Sequence, residues 1–246
     1  MYMEKYFKEM KLVLEKVEKT QQENILKAAD VIVDSITNDG MWHIYDTGHM
    51  LMFEGVGRTG GMMALRPIRI NCDVSNPTRY RNLGSKLKMT YDMVEGFADF
   101  VLGQANITKG DVLMIGTVSG YNYFPIDLAL KARKRGIKTI AITTVEYSKK
   151  LTSKHPSKLR LFEAVDIVLD NCSNFGDTLV YVDEIKQGIC PASGISASYI
   201  LWALQSAVVE KLVKKGLNPS IYISNHMEKA TEKNNEARAN YEKYGF

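Results

Sequence analysis

The segment Thr117-Val118-Ser119-Gly120-Tyr121-Asn122 brings together two short hydroxyl side chains, a glycine and a carboxamide. Such groups hold a compact anion, for example a phosphate. Apolar Val112–Ile115 precedes the cluster as an unalternating run, the pattern of a strand buried on both faces. An amphipathic stretch follows it, with Pro125 in its first turn and Gly136 at its end, the pattern of a helix. A second buried run, Thr139–Ile142, completes a βαβ unit. The cluster therefore stands where a strand hands over to a helix, beside free N–H groups and the positive end of the helix dipole. The same residues also fit a plain βα turn with Asn122 as N-cap, and the corner alone does not separate the two readings.

A nucleotide loop is not indicated. The chain has no P-loop motif. It has one GxGxxG, Gly55-Val-Gly57-Arg-Thr-Gly60, but too few residues separate Gly60 from the next apolar run, Ile68–Ile70, for the crossover helix of a dinucleotide site. The three cysteines, Cys72, Cys172 and Cys190, form no CxxC, which argues against a disulfide scaffold or a structural zinc site. The four histidines show no HxxxH spacing. His43 alternates with Trp42 and Ile44 inside a strand and reads as structural. His155 and His226 read as surface residues, each also able to reach a site from a loop or from a neighbouring subunit. No cofactor and no metal are expected.

An apolar content of 45% with 24% charged residues over 246 positions is that of an ordinary globule with one good core. The net charge of +4 is spread along the chain. Its one cluster, Lys131-Ala-Arg133-Lys134-Arg135, complements a helix C-terminus and carries no interleaved aromatics, so no nucleic-acid partner is expected. Gly188 to Val209 carries no charge, but Pro191, serines and Gln205 interrupt it; a buried helix is expected there, not a membrane span. The N-terminus lacks an apolar signal region, and a cytoplasmic location is expected.

The elements that must position the corner follow from periodicity. Two N-terminal helices, a helical hairpin, are expected within residues 1–38, from the stripes Phe7, Met10, Leu14, Val17 and Ile25, Ala28, Ile32, Ile36. Strands are expected at Met41–Tyr45, Pro67–Asn71, Val112–Ile115, Thr139–Ile142 and Ala164–Leu169, with a hairpin within Thr178–Cys190. Asp73–Lys88 reads as a long loop and Met89–Gln104 as a helix. A long apolar helix spans Ile195–Lys215 and a charged one Met227–Tyr244. Strands alternating with helices give an α/β fold, a doubly wound five-stranded parallel sheet flanked by helices. One domain is expected over 1–246: N-terminal helices at 1–38, an α/β core at 41–216 and a C-terminal helix at 227–244. Ligands of such sheets sit at the C-terminal strand ends. Asp46–His49, Thr117–Asn122, Thr143–Ser148 and Asp170–Asn171 all fall there.

The order and spacing of these corners resemble the SIS (sugar isomerase) domain family, in particular its stand-alone phosphosugar-binding branch. Asp46-Thr47-Gly48-His49 resembles the family's Gly-Thr-Gly-His corner. Glu54 through Gly61 resembles its Glu-x-x-x-Arg-Ala-Gly-Gly segment, and Thr117–Asn122 its Ser-x-Ser-Gly phosphate loop. Thr143–Ser148, His155-Pro156-Ser157, Asp170-Asn171, Gly176-Asp177 and Pro191-Ala192-Ser193-Gly194 complete the series. Thr117 stands where serine is usual, Met50 where serine usually follows the Gly-His pair, and Pro-Ala-Ser-Gly where Pro-Thr-Ser-Thr is usual.

The resemblance implies a flavodoxin-like fold and a small-molecule phosphosugar as ligand. It implies that Thr117, Ser119, Gly120 and Asn122, with Ser193 from the long helix, bind phosphate, and that Thr47, Gly48 and Arg58 contact substrate. Glu54 and His49 are its catalytic candidates: a carboxylate that moves a proton between adjacent sugar carbons, and a histidine that opens the ring or binds a hydroxyl. Glu54 and Arg58 also fit a simple i,i+4 pair. The activities implied are aldose–ketose isomerisation, binding or sensing without turnover, or lyase or deaminase chemistry on amino-sugar phosphates. A homodimer or homotetramer is implied, with the Phe7, Met10, Leu14, Val17 stripe partly against a partner copy.

Overall fold

Apolar runs without alternation become strands covered on both faces. The computed structural model describes residues 1–48, 51–71 and 93–246. Its central sheet contains β1 (Trp42–Asp46), β2 (Leu65–Pro67), β3 (Val112–Gly116), β4 (Lys138–Thr143) and β5 (Ile167–Asp170). All neighbours are parallel, in the order β2-β1-β3-β4-β5. A small antiparallel hairpin, β6 (Val180–Val182) and β7 (Gln187–Ile189), stands apart from it. The expected α/β sheet and the hairpin are both present.

Helices cover both faces. On one, α1 (Tyr2–Ile36) and α7 (Ser193–Lys214) pack against Ile44, Met114, Ile140, Ile142 and Leu169 through Ala28, Ile32, Leu201 and Leu204. On the other, α3 (Phe97–Gln104), α4 (Tyr123–Lys134) and α6 (Leu161–Ala164) meet Tyr45, Leu113, Ile115 and Ala141 through Leu102, Phe124 and Leu128. Each such aliphatic side chain contributes about 1.5–3 kcal/mol on burial. Every residue of β1 and β3 is buried. Among the described residues there are also α2 (Met52–Gly55), α5 (Val145–Lys149) and α8 (Ala230–Tyr244), short or peripheral helices.

The N-terminal helical hairpin is corrected to one continuous helix, α1. The two expected stripes join through Gln21, which is 6% exposed and occupies the missing position of the repeat. Its Oε1 accepts the Asp170 N–H at 2.9 Å, so a polar residue sits on the buried face with a partner. Met10 and Val17 of the first stripe are buried within their own chain, whereas Phe7 is 60% exposed. The second strand also lies earlier than expected. Arg66 interrupts its apolar pattern, and Pro67, which lacks an N–H, sits at the end of this edge strand. The expected loop Asp73–Lys88 and residues 89–92 lie outside the described residues, and the expected Met89–Gln104 helix is corrected to a later start, at Phe97, because Gly96 before it has a left-handed φ of +80°.

At the opposite end of the sheet from the strand C-termini, Asp111 ties β1 to β3. Its carboxylate accepts the N–H groups of Met41 and Thr108, both at 2.9 Å, and lies 3.3 Å from His43 Nε2. Burial pushes the His43 pKa below the ordinary histidine value; the Asp111 carboxylate opposes this and the Arg66 charge adds to it. A base whose folded pKa is depressed takes up protons more readily when unfolded. Its contribution to stability is therefore present above about pH 6.5 and is lost as pH falls below that value. On acidification from neutral to mildly acid pH, the urea midpoint of the parent should fall more steeply than that of His43→Gln. Parallel pH profiles would show that His43 protonates as freely in the fold as outside it.

Candidate functional site

The strand order reverses between β1 and β3, so the crevice outside their C-terminal ends is where an open α/β sheet offers a site. Asp46 and Gly116 are register partners there, and the Thr47 N–H donates to the Gly116 carbonyl at 3.1 Å. The approach is close. A Cβ on Gly116 would lie 2.7 Å from Leu51 Cδ1 and 2.9 Å from Asp46 Cβ.

The corner after β1 is filled by its own carboxylate. Asp46 is 2% exposed, and it accepts the N–H groups of Gly48 and of Leu51 and Met52, the N-cap and first residue of α2. Two other helix starts are treated likewise. Asp170 Oδ1 accepts the Val145 N–H of α5 at 3.1 Å. Asp177 accepts the N–H groups of Ala192 and Ser193 at the start of α7, at 3.1 and 2.9 Å. In each, a fixed negative charge meets the positive end of the helix.

The corner after β3 is built differently. The Val118 carbonyl accepts from Thr144 N (3.0 Å) and Thr143 Oγ1 (3.2 Å), the Gly120 carbonyl from Leu161 N (2.8 Å), and the Tyr121 carbonyl from Lys154 N (2.9 Å). The carbonyls thus turn back into the protein. Among the described residues, none of the N–H groups from Val118 to Phe124 has a hydrogen-bond acceptor. Asn122 does occupy the N-cap position of α4, but its side chain makes no capping bond. The plain N-cap reading of this corner is therefore not what the structure contains. Ser119 Oγ likewise has no partner among the described residues. Beneath the corner, Ser148 Oγ is fully buried and unpartnered. An unpaired buried hydroxyl costs about 1–3 kcal/mol, and this one lies 3.0 Å from where a Cβ on Gly120 would be. Together these groups make a pocket of donors with no internal acceptor, suited to an anion.

The other expected site residues form a second group. Glu54 and Arg58 are a pair at 3.4 Å, their side chains 42% and 56% exposed. Glu54 lines a cleft of roughly 890 Å³ with Phe53, Cys190, Ser193, Tyr199 and Trp202. Residues 117–122 do not line that cleft. Ser193 Oγ donates to Asp177 Oδ2 at 2.6 Å, so its proton is committed within the chain. Thr47 and Gly48 are exposed at the rim of the β1 corner. His49 lies outside the described residues.

His155 corrects the expectation of a surface residue: it is 8% exposed. The Ser157 N–H donates to its Nδ1 at 3.1 Å, which places the ring proton on Nε2, 3.5 Å from Asp127 Oδ1. The ring also packs on Tyr123 of α4, with centroids 4.9 Å apart. Pro156 and Ser157 beside it read as an exposed turn, and that polarity hid the histidine. The helix-capping roles of Asp46 and Asp177 were also missed. Their signal was an aspartate directly after a strand in one case and a Gly-Asp turn in the other. Among the described residues no cluster of His, Cys, Asp and Glu could hold a metal ion, and no helix is long and apolar enough to cross a membrane.

The profile of the SIS domain family matches residues 5–144. A protein of Geobacillus thermodenitrificans named UPF0309 protein is 33% identical over 235 residues, covering 95% of this chain and 90% of its own. One of Caldanaerobacter subterraneus with the same family name is 30% identical over 244 residues, covering 97% and 96%. Among solved structures, the phosphoheptose isomerase GmhA of Neisseria gonorrhoeae is similar with a TM-score of 0.49 at 15% identity, over 83% of this chain and 95% of its own. The sugar isomerase domain of an RpiR transcription factor from Sphaerobacter thermophilus is similar with a TM-score of 0.49 at 13% identity, over 96% of each chain.

The corner's geometry requires Gly120 in two ways. Its φ of +58° is in the left-handed region. A Cβ there would also press on Ser148 Oγ and Thr143 Oγ1, each at 3.0 Å. Gly176 shares the positive φ, at +86°, but faces open space. Gly120→Ala should therefore lose about 1–3 kcal/mol in urea unfolding, more than Gly176→Ala, which carries the backbone cost alone. Equal losses would show that the hydroxyls under the corner yield freely.

Proposed function

The chain belongs to the SIS domain family, and we propose that it holds the phosphate of a phosphosugar in the β3–α4 corner and interconverts aldose and ketose forms of that sugar. The observation that carries this reading is the run of N–H groups from Val118 to Phe124 without an internal acceptor, when the corners at α2, α5 and α7 each have a carboxylate. A phosphate there accepts from these N–H groups, from Ser119 and from Asn122, with the α4 dipole behind it. Thr117, 3% exposed at the strand end, backs the corner with its hydroxyl.

The chemistry falls to the neighbouring strand. Isomerisation removes a proton from the carbon next to the carbonyl and returns it to the former carbonyl carbon. In this reading Glu54 carries that proton, Arg58 holds its carboxylate, and His49 and Thr47–Gly48 contact the sugar from the loop after β1. Ser193 does not join the phosphate in this reading: its proton goes to Asp177, and it lies in the Glu54 cleft, which residues 117–122 do not line. One observation favours a second reading, binding without turnover: the Glu54 side chain is 42% exposed and its cleft is not lined by residues 117–122. A carboxylate so placed is not strongly desolvated.

One experiment separates the two. Parent, Ser119→Ala and Glu54→Gln are titrated with aldose and ketose phosphates and then incubated with them in deuterated water. Ser119→Ala should weaken binding by about 1–3 kcal/mol, the cost of one hydrogen bond to a charged group. Glu54→Gln should bind like the parent and lose deuterium exchange by about 10²-fold or more. Binding without exchange by the parent would leave the binding protein; no effect of Ser119→Ala would remove the corner from the site.

The same reading includes a homo-oligomer. Phe53 is 82% exposed, Ile195 47% and Tyr199 40%, and all three line the cleft that holds Glu54. Phe7 directly follows Tyr6, a residue of the same cleft, with ring centroids 5.9 Å apart. A second copy on this face would bury them. Light scattering at micromolar concentration should give a dimer or larger, and Phe53→Asp should shift it toward monomer. A monomeric parent would sink the idea.

A further inference from the structure

We propose that Lys154 is a cationic ligand of the anion in the β3–α4 corner, carried to it by the turn Ser153–Leu159. The inference rests on the phosphate reading of that corner and adds a residue to it. Three observations lead here. The Lys154 N–H donates to the Tyr121 carbonyl at 2.9 Å, so its backbone is fastened to the middle of the corner. Its ammonium lies 4.7 Å from the centroid of the Tyr121 ring, which holds the charge beside the corner by a cation–π contact. Among the described residues it has no carboxylate partner, whereas Lys150, the neighbouring cation, is paired with Glu146 at 3.5 Å.

The turn that carries Lys154 is held from inside. Ser153 Oγ donates to the Leu159 carbonyl at 2.6 Å and closes the loop across its base. His155 is buried between Ser157, Asp127 and the Tyr123 ring, and so anchors the turn to the first two turns of α4. Lys154 is exposed next to this buried anchor. The corner itself offers more than a helix start. Ser148 Oγ, fully buried and unpartnered, lies directly beneath Gly120. N–H groups and hydroxyls alone bind an anion without matching its full charge. A phosphate monoester is close to a dianion at neutral pH. An unpaired lysine at the rim supplies the missing positive charge as a compact point, on a stem flexible enough to close over a bound ligand.

The test is calorimetry with inorganic phosphate on the full chain, for the parent, Lys154→Gln, Lys154→Arg and Lys158→Gln. Lys158 lies in the same turn, so its variant controls for net charge. Lys154→Gln should bind phosphate about tenfold more weakly, the loss of one charged contact. Lys154→Arg should restore most of the affinity, and Lys158→Gln should stay within about twofold. The parent's affinity should fall as salt is raised, and that of Lys154→Gln should fall less, a response that a merely structural role would not give. Unchanged binding by Lys154→Gln, or an equal loss in Lys158→Gln, would overturn the assignment while leaving the corner intact. No phosphate binding by the parent would overturn both.

Discussion

Everything at the C-terminal end of this sheet depends on how the orphan N–H groups of the helix starts are satisfied. A parallel sheet with crossover helices delivers several of them to one edge, each with the positive end of its helix dipole. Left to water they would cost little; enclosed by neighbouring loops they need acceptors. The chain meets this need with fixed carboxylates at α2, α5 and α7, from Asp46, Asp170 and Asp177. At α4 it does not. The three carboxylates thus occupy the corners at α2, α5 and α7 from within the chain, whereas the α4 corner has no such internal acceptor among the described residues.

Much of this architecture is written in the chain, and the exceptions have physical causes. The strands from β3 onward, the hairpin and α7 follow from unalternating apolar runs and turn residues. The corner at Thr117–Asn122 follows from residue type. What could not be read was whether Asn122 caps its helix, because an asparagine side chain suits an N-cap and a ligand equally well. The structure shows that the Asn122 side chain makes no capping bond, while Thr144, Lys154 and Leu161, distant in sequence, claim the corner's carbonyls. Gln21 misled for the opposite reason. A glutamine on an apolar stripe reads as a break, yet here its partner is the Asp170 N–H at the end of β5. His155 misled because its burial comes from α4, which packs over a turn whose local composition is polar.

Close approaches at glycine link the two groups of site residues. Gly116 lets Leu51 lie against β3, and Gly55 lets α2 touch α7, since a Cβ there would meet Leu201 Cδ2 at 2.2 Å. A helix as short as α2, Met52–Gly55, has no stability of its own. It is held by these contacts and by the Asp46 carboxylate at its first N–H groups. Glu54 therefore takes its position from Asp46, although the two side chains have different roles.

This arrangement also settles a problem of charge. Asp46 and Gly116 are partners across adjacent strands, so a phosphate in the β3–α4 corner would sit one strand away from a buried carboxylate. Repulsion between them would be substantial in a low-dielectric crevice. The three N–H groups that Asp46 accepts, from Gly48, Leu51 and Met52, partly neutralise its charge. The crevice can then keep a negative group for structure on β1 and admit another on β3. A neutral residue in place of Asp46 would remove the repulsion, but it would free the N–H groups of Gly48, Leu51 and Met52 and create a competing anion site beside Glu54. The carboxylate holds α2 in place and keeps these N–H groups from any other anion.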